Sequence, residues 1–274
     1  MRSQRYLIFT DLDGTLLDHD TYSFEAALET LNKLHLQGHF VMPCTSKTLE
    51  EVVQIRGEVG LTTPFIVENG AALVVPKDFF PSLPPGMTEV EDYYFKSFTK
   101  NSDYWVSLLN QHASNFADLY QGFSQMSLQQ IIQYTGLSED AAELASKRRF
   151  GEPVKWFGDE QSKAEFVATM TAAGANILHG GRFMHVSGDC DKGSALIATT
   201  QLFERICDDY DFTSIALGDS GNDIAMLEAA DIAVLIKSPA HPFPTITKTQ
   251  NIYLSTQYGP KGWAEILEQL IFST

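Results

Sequence analysis

The stretch Phe9-Thr-Asp-Leu-Asp-Gly-Thr-Leu-Leu-Asp18 directly follows the apolar residues Tyr6 to Ile8 near the start of the chain. It places two carboxylates, Asp11 and Asp13, where a buried strand is expected to end. A polar turn that closes the strand is one interpretation, because Asp and Gly favour turns. The other is a site that uses both carboxylates, since residues two apart on a strand project to the same side, about 6–7 Å from each other. The rest of the chain decides between these interpretations.

Predicted strands and helices alternate in the first part of the chain and again after Gly188. Apolar residues recur at helical spacing between Phe24 and Leu34, and a short apolar strand is predicted from Phe40 to Met42. Strands that alternate with helices form a parallel sheet covered by helices. The predicted fold class is therefore α/β, with a Rossmann-like doubly wound parallel sheet.

A different pattern occupies the middle of the chain. The proline-containing stretch 80–86 interrupts the alternation, and strand-like and helical segments then mix as far as His185. The 274 residues also exceed the roughly 100–150 residues of a common single domain. We predict a catalytic core formed by residues 1–83 plus 188–274, and an inserted α+β cap domain formed by residues 84–187.

Composition restricts the class of partner. The formal net charge of −16 argues against a nucleic-acid or membrane-surface binding protein, because such proteins need a basic face. Cys44, Cys190 and Cys207 are widely spaced and form no CxxC pair, which is typical of free thiols in a reducing compartment. The first residues contain no signal-peptide core, and no apolar stretch reaches the ~20 residues of a membrane helix. We expect a cytoplasmic monomer or dimer that acts on a small molecule.

Reactive polar side chains follow four of the predicted strands. They are Asp11 and Asp13, Thr45 and Ser46, Glu68 and Asn69, and the residues from Asp219 to Asp223 in LGDSGND, while Lys192 opens a helix in DCDKGSA. Each has a simpler explanation alone: a helix N-cap, a polar loop or a surface lysine. Ligands of open α/β sheets bind outside the carboxyl ends of the strands, so we expect these residues to form one site.

Phosphoryl transfer is the chemistry that suits this set. Asp11 has the properties of a nucleophile that accepts a phosphoryl group, and Asp13 those of a general acid and base. Hard carboxylate and carbonyl oxygens from Asp11, Asp13 and Asp219 are ligands that Mg²⁺ prefers. Lys192 adds a positive charge, and Thr45 adds a hydroxyl donor for a phosphate oxygen.

The combined motifs resemble those of the haloacid dehalogenase superfamily. DxDGT runs from Asp11 to Thr15, Thr45 or Ser46 is the second motif, Lys192 is the third, and GDxxND runs from Gly218 to Asp223. The resemblance implies an Asp11 nucleophile, an Asp13 acid/base and a metal site for Mg²⁺, with Thr45 and Lys192 completing the catalytic set. The residues implied at the metal are Asp11, Asp13, Asp219 and Asp223. An Asp at the position of Asp13 is typical of phosphatases and mutases in this superfamily.

A narrower resemblance concerns the substrate. Many capped sugar phosphatases read TGR or SGR at the second motif, whereas this chain reads CTSKT, which resembles mannosyl-3-phosphoglycerate phosphatases. Similar stretches are TGLSEDAAELASKRRFGEP (135–153), GGRFMHVSG (180–188) and GPKGWAEIL (259–267). A phosphoglycerate carries a carboxylate that arginine binds well, so the cap arginines are candidates for reading it. The expected substrate-binding residues are Ser46, Lys47, Asn69, Arg148, Arg149, Gly181, Arg182 and Asn222.

Alternatives remain at this point. One alternative substrate is another sugar phosphate, of the glucosyl-3-phosphoglycerate or sucrose-phosphate type, and one alternative enzyme is a phosphomutase. A phosphorylated receiver domain also combines an acid pair, Ser/Thr, Lys and Mg²⁺, but it is about half as long and lacks a cap. The sequence does not distinguish whether Thr45 or Ser46 contacts the phosphate.

Overall fold

The computed structural model describes residues 2–179 and 182–273. The chain divides into two compact units, one of residues 1–46, 55–96 and 191–274 and the other of residues 47–54 and 97–190. These units differ from the predicted core and cap mainly in the placement of 47–54 and 84–96. The predicted domain boundaries stay a prediction, and each unit is described by itself.

A five-stranded parallel sheet forms the centre of the first unit, which confirms the predicted α/β class. One inner strand ends in Leu7 to Thr10, which are fully buried, as a strand covered on both faces requires. The chain leaves this strand towards one edge of the sheet and later returns to its other side, which creates a topological switch point. In spatial order the strands are β13 (Ile252–Tyr258), β12 (Ile232–Lys237), β11 (Tyr210–Gly218), β1 (Ser3–Thr10) and β2 (Phe40–Pro43).

Helices and a second small sheet complete the first unit. The helix Gly259–Leu267 has a proline at position 260, which is tolerated in a first helical turn. The second sheet continues from β2 through a single bridge between Cys44 and Ile66. Its strands, in spatial order, are β3 (Phe65–Val67), β4 (Ala72–Pro76), β6 (Tyr93–Ser97) and β5 (Thr88–Val90). The helices are α1 (Leu28–Leu36), α2 (Leu49–Val59, with its first half grouped in the second unit), α7 (Lys192–Ile206), α8 (Ile224–Ala229) and α9 (Gly259–Leu267).

The second unit has the predicted α+β character. Its antiparallel sheet packs over an apolar core that includes Trp105, Phe166, Met170 and Val186. Local signals set the helix ends, as at α4, where the side chain of Ser127 caps the first turn and Gly136 adopts a left-handed conformation after the last. In spatial order the strands are β7 (Tyr120–Gly122), β8 (Glu152–Trp156), β10 (Met184–Ser187) and β9 (Asn176–His179). The helices are α3 (Ser102–His112), α4 (Leu128–Thr135), α5 (Glu139–Ser146) and α6 (Glu160–Ala172).

Candidate active site

Two acidic residues lie at the carboxyl ends of the neighbouring strands β1 and β11. The backbone N–H of Asp11 donates to the carbonyl of Leu217 at 2.9 Å, so the pairing of the two strands continues one residue beyond β1. Asp219 directly follows β11, and Asp11 and Asp219 are only 5% and 4% exposed. The switch point of the sheet therefore brings Asp11 and Asp219 to the same edge.

Lys192 connects this edge to the start of α7. The side chain of Asp191 accepts a hydrogen bond from the N–H of Ser194 at 2.7 Å and caps the helix, so Lys192 is its first residue. The Lys192 Nζ donates to Asp11 Oδ1 at 2.7 Å and to Asp223 Oδ1 at 2.6 Å. The side chain of Lys192 has 0% exposure, so its charge lies entirely among these groups. The predicted surface-lysine alternative is therefore wrong.

The loop after β11 folds back on itself around Asp223. Its second carboxylate oxygen accepts hydrogen bonds from the backbone N–H groups of Asp219 at 3.1 Å and Ser220 at 3.0 Å. Gly218 makes this close return possible, because a Cβ atom there would lie 2.4 Å from the Cβ of Asp223. One carboxylate oxygen of Asp223 thus accepts from Lys192, and the other accepts the two backbone hydrogen bonds that stabilise the loop.

The side chains at this edge fit a divalent cation. Asp11, Asp219 and Asp223 are all buried, and each offers a carboxylate oxygen within 4.8 Å of the others. Gly14 leaves space for this cluster, since a Cβ at that position would lie 2.7 Å from an oxygen of Asp219. Three buried carboxylates beside one ammonium group leave excess negative charge, and hard oxygen donors of this kind suit Mg²⁺. The donor set therefore agrees with the predicted metal.

Burial and, after it, the neighbouring charges shift the pKa values of the site. Burial, assisted by the charges of Asp223 and Asp13 and opposed by Lys192, raises the pKa of Asp11 to about 8. Burial, with the charge of Asp223, also raises the pKa of Asp219. Burial lowers the pKa of Lys192, but the carboxylates of Asp11 and Asp223 outweigh it and the net shift is upward. Additional positive charge is needed to keep Asp11 ionised at neutral pH.

The predicted phosphate-side residues lie at the ends of β2 and β3. Thr45 is fully buried, its N–H donates to Ile66 and its carbonyl accepts from the N–H of Asn69 at 2.9 Å. Ser46 follows it as a partly exposed residue of the first unit, whereas Lys47 is grouped with the second unit, where its Nζ lies 3.9 Å from a carboxylate oxygen of Glu51. The choice between Thr45 and Ser46 stays open.

The predicted cap arginines have different environments within the second unit. Arg149 forms an ion pair with Glu50, with 3.1 Å between Nη2 and Oε1. The Nη1 of Arg182 donates to the carbonyls of Tyr134 and Thr135, the last residues of α4. Gly181 lies outside the described residues.

The third cap arginine, Arg148, lies near two titratable groups of the sheet, His185 and Glu152. Burial, together with the charge of Arg148, lowers the pKa of His185 to about 3. Burial raises the pKa of Glu152, although hydrogen bonds from Ser124 and the charge of Arg148 oppose that shift. The charge of Arg148 therefore acts on both His185 and Glu152.

Two contacts at the site escaped the sequence analysis. His241 follows β12 in the loop SPAHP, and its Nε2 lies 3.5 Å from an oxygen of Asp219. Trp263 of α9 donates from its indole N–H to the hydroxyl of Thr10 at 3.1 Å, and this hydroxyl donates to the carbonyl of Asp11 at 2.7 Å. His241 lies in no stretch that resembles a known family. Trp263 lies in GPKGWAEIL, but nothing in that stretch indicates a contact with Thr10. Both contacts are therefore visible only in the folded chain.

Comparison with known proteins adds independent findings. A family model described as haloacid dehalogenase-like hydrolase matches residues 8–242. The chain is 35% identical to a protein of Methanococcoides burtonii named glucosyl-3-phosphoglycerate/mannosyl-3-phosphoglycerate phosphatase, over 97% of each chain. It is 34% identical to a protein of the same name from Persephonella marina, again over 97% of each chain.

A solved structure shares the fold at low sequence identity. It is a haloacid dehalogenase-like hydrolase from B. subtilis, with a TM-score of 0.64 and 18% identity over 97% of this chain and 99% of that one. Among residues 2–179 and 182–273, no helix combines the length and apolar character that a membrane crossing requires.

Proposed function

Because the chain belongs to the haloacid dehalogenase-like hydrolase family and is a phosphatase, we propose that it hydrolyses a phosphate monoester through an aspartyl-phosphate at Asp11. The observation that carries this proposal is the pair of contacts from Lys192 to Asp11 and Asp223, 2.7 and 2.6 Å long, inside a buried carboxylate cluster. A nucleophilic carboxylate must be ionised, and positive charge beside it favours that state.

The two steps of the reaction use Asp11 and Asp13. A carboxylate oxygen of Asp11 attacks phosphorus, the bond from phosphorus to the ester oxygen breaks, and Asp13 donates a proton to the departing alkoxide. A water molecule then attacks the aspartyl-phosphate and gives its proton to Asp13. The bond between phosphorus and Asp11 breaks, which releases phosphate and restores both side chains.

A divalent cation, for which we propose Mg²⁺, fits the carboxylates of Asp11, Asp219 and Asp223, with the backbone carbonyl of Asp13 as a further ligand. When bound, it supplies positive charge that keeps these carboxylates ionised and offsets the charge of the phosphoryl group. Thr45 and Lys192 complete the proposed phosphate-side set, and Asn222 supports the cation or its water molecules.

The substrate that we propose is a 3-phosphoglycerate ester of mannose, with the glucose ester as the alternative. The names of the two relatives, which cover 97% of the chain, support both sugars, and the sequence CTSKT supports the same group of enzymes. Such a substrate carries a carboxylate beside the phosphate ester, which the planar guanidinium of an arginine binds well. Arg148, Arg149 and Arg182 stay our candidates for that role.

Phosphate release from a panel of esters tests the proposal. The panel contains mannosyl-3-phosphoglycerate, glucosyl-3-phosphoglycerate, sucrose phosphate and p-nitrophenyl phosphate, compared by kcat/KM. We expect the highest value for one of the two phosphoglycerate esters, and a loss of activity in EDTA that Mg²⁺ reverses. A preference for sucrose phosphate would contradict the substrate, and activity that is indifferent to EDTA would contradict the metal.

Asp11→Asn tests the nucleophile in the same assay. We expect kcat to fall at least about 10³-fold, because the amide cannot attack phosphorus. Asp20→Asn makes the same change at an exposed position and is the control. Full activity of Asp11→Asn would refute the aspartyl-phosphate mechanism.

A further inference from the structure

The turn after β3 has an unusual backbone. Glu68, Asn69 and Gly70 all lie in the left-handed region, with φ of +50°, +59° and +90°. Two consecutive residues other than glycine rarely adopt this conformation, and where they do, the surrounding structure imposes it. We refer to residues 68–70 as the left-handed turn.

Gly70 brings the left-handed turn against the start of α7. A Cβ atom on Gly70 would lie 2.1 Å from the carbonyl oxygen of Asp191 and 2.7 Å from the backbone nitrogen of Lys192. Such a close approach is possible only without a side chain. The turn therefore packs directly on the backbone that carries Lys192.

Asn69 brings the same turn to the loop after β11. Its Oδ1 accepts a hydrogen bond from the Nδ2 of Asn222 at 3.1 Å. The Oδ1 of Asn222 in turn accepts a hydrogen bond from the hydroxyl of Ser220, so both ends of this amide are held. Asn222 precedes Asp223, one of the three clustered carboxylates.

We propose that the left-handed turn is a positioning element, and that Asn69 acts through Asn222 rather than by contact with the substrate. The turn contacts the start of α7, which carries Lys192, and the loop after β11, which carries Asp219 and Asp223. Both are distant in sequence from residues 68–70. It thereby fixes the direction of the Asn222 amide relative to the carboxylate cluster. This inference rests on the proposed function and departs from the sequence-based expectation that Asn69 binds substrate.

A double-mutant cycle with Asn69→Gly and Asn222→Ala tests the proposal. Glycine accepts the positive φ of Asn69 and removes only the amide, so backbone strain does not confuse the result. Asn251→Gly is the matched control, because Asn251 has a φ of +55° and an amide that donates to the carbonyl of Asp231, away from the cluster. The assays are kcat and KM for p-nitrophenyl phosphate and Mg²⁺ affinity by titration calorimetry.

Asn69→Gly is expected to lower kcat/KM and Mg²⁺ affinity about 3–10-fold, the change that loss of one ordinary hydrogen bond produces. Once Asn222 is Ala, the same substitution should change either quantity less than about 2-fold. Asn69→Asp keeps an acceptor for the Asn222 N–H and should recover part of the loss.

Three results would overturn the proposal. The first is an effect of Asn69→Gly no larger than that of Asn251→Gly. The second is an equal effect with and without the Asn222 amide, which would mean that Asn69 acts directly. The third is a failure of Asn69→Asp to recover any of the loss. If the wild type hydrolyses no ester, the proposed function fails separately, and the Mg²⁺ affinities still test the coupling of Asn69 to Asn222.

Discussion

Lys192→Met removes the positive charge that lies between two buried carboxylates. The Nζ lies 2.7 Å from Asp11 and 2.6 Å from Asp223, and the side chain has 0% exposure, so solvent does not screen these contacts. Methionine has a similar length and is apolar, which keeps the space filled. Removing one partner of a buried ion pair costs about 3–5 kcal/mol, because the other charge is left uncompensated.

The loss of stability in Lys192→Met should depend on pH, and the pKa of Asp11 determines whether this loss grows or shrinks as pH rises. In the folded protein the pKa of Asp11 is about 8, above the value of about 3.9 for an exposed aspartate. The folded state thus binds more protons between these values, and the free energy of unfolding falls as pH rises through that window. Without Lys192 the pKa of Asp11 rises further, so the window extends above pH 8. The destabilisation should then grow by up to about 1.4 kcal/mol per pH unit above pH 8.

Urea unfolding at pH 6, 8 and 9 in the presence of EDTA measures this effect. Lys261→Met makes the same substitution at an exposed lysine of α9 and controls for the general loss of one charge. We expect Lys192→Met to be less stable than the control at every pH, with the largest difference at pH 9. A difference that stays constant from pH 6 to pH 9 would refute the role of Lys192 as the countercharge of Asp11.

Three further predictions concern other contacts, each measured by urea unfolding. Burial beside Arg148 lowers the pKa of His185 to about 3, so at this residue only the unfolded chain gains a proton near pH 6. Between pH 7 and 5 the wild type should therefore lose about 2 kcal/mol of stability relative to His185→Leu, which shares every other titrating group. A stability difference between the two proteins that stays constant from pH 7 to 5 would contradict this. Arg182→Ala should cost about 1 kcal/mol, because the last carbonyls of α4 lose a donor, and unchanged stability would contradict it. Trp263→Phe should lower the free energy of unfolding by about 1–3 kcal/mol, because the Thr10 hydroxyl loses its donor. In a Thr10→Val background the same substitution should cost less, since that hydroxyl is absent. Equal costs in the two backgrounds would contradict this.

Much of the site was predictable because its residues have local signatures. Asp11 follows an apolar strand, Lys192 follows an N-cap aspartate, and Asp223 closes a glycine-containing loop, so each position is recognisable from a few neighbouring residues. The rule that ligands collect at strand ends then joined them into one expected site. In the structure, Asp11, Asp219 and Asp223 do lie within 4.8 Å of one another, while the site as a whole stays a prediction.

The hydrogen-bond partners of the predicted site residues were less predictable, as Asn69, Asn222 and Arg182 illustrate. Nothing near Asn69 in the sequence indicates that its side chain meets Asn222, 153 positions away. Arg182 resembled an anion-binding residue, yet one of its nitrogen atoms donates to backbone carbonyls at the end of α4.

The sequence by itself determined the fold class, the helix caps and the residue types at the strand ends, because periodicity, capping and turn geometry depend on residues close together in the chain. Only the tertiary structure decided that Lys192 lies between Asp11 and Asp223, which are 181 and 31 positions away. The order of the strands and the course of the loops set such distances. Asp11 of the opening stretch thus belongs to a buried carboxylate cluster, and Asp13 lies near enough for its charge to raise the pKa of Asp11. Lys192 supplies part of the positive charge that Asp11 requires.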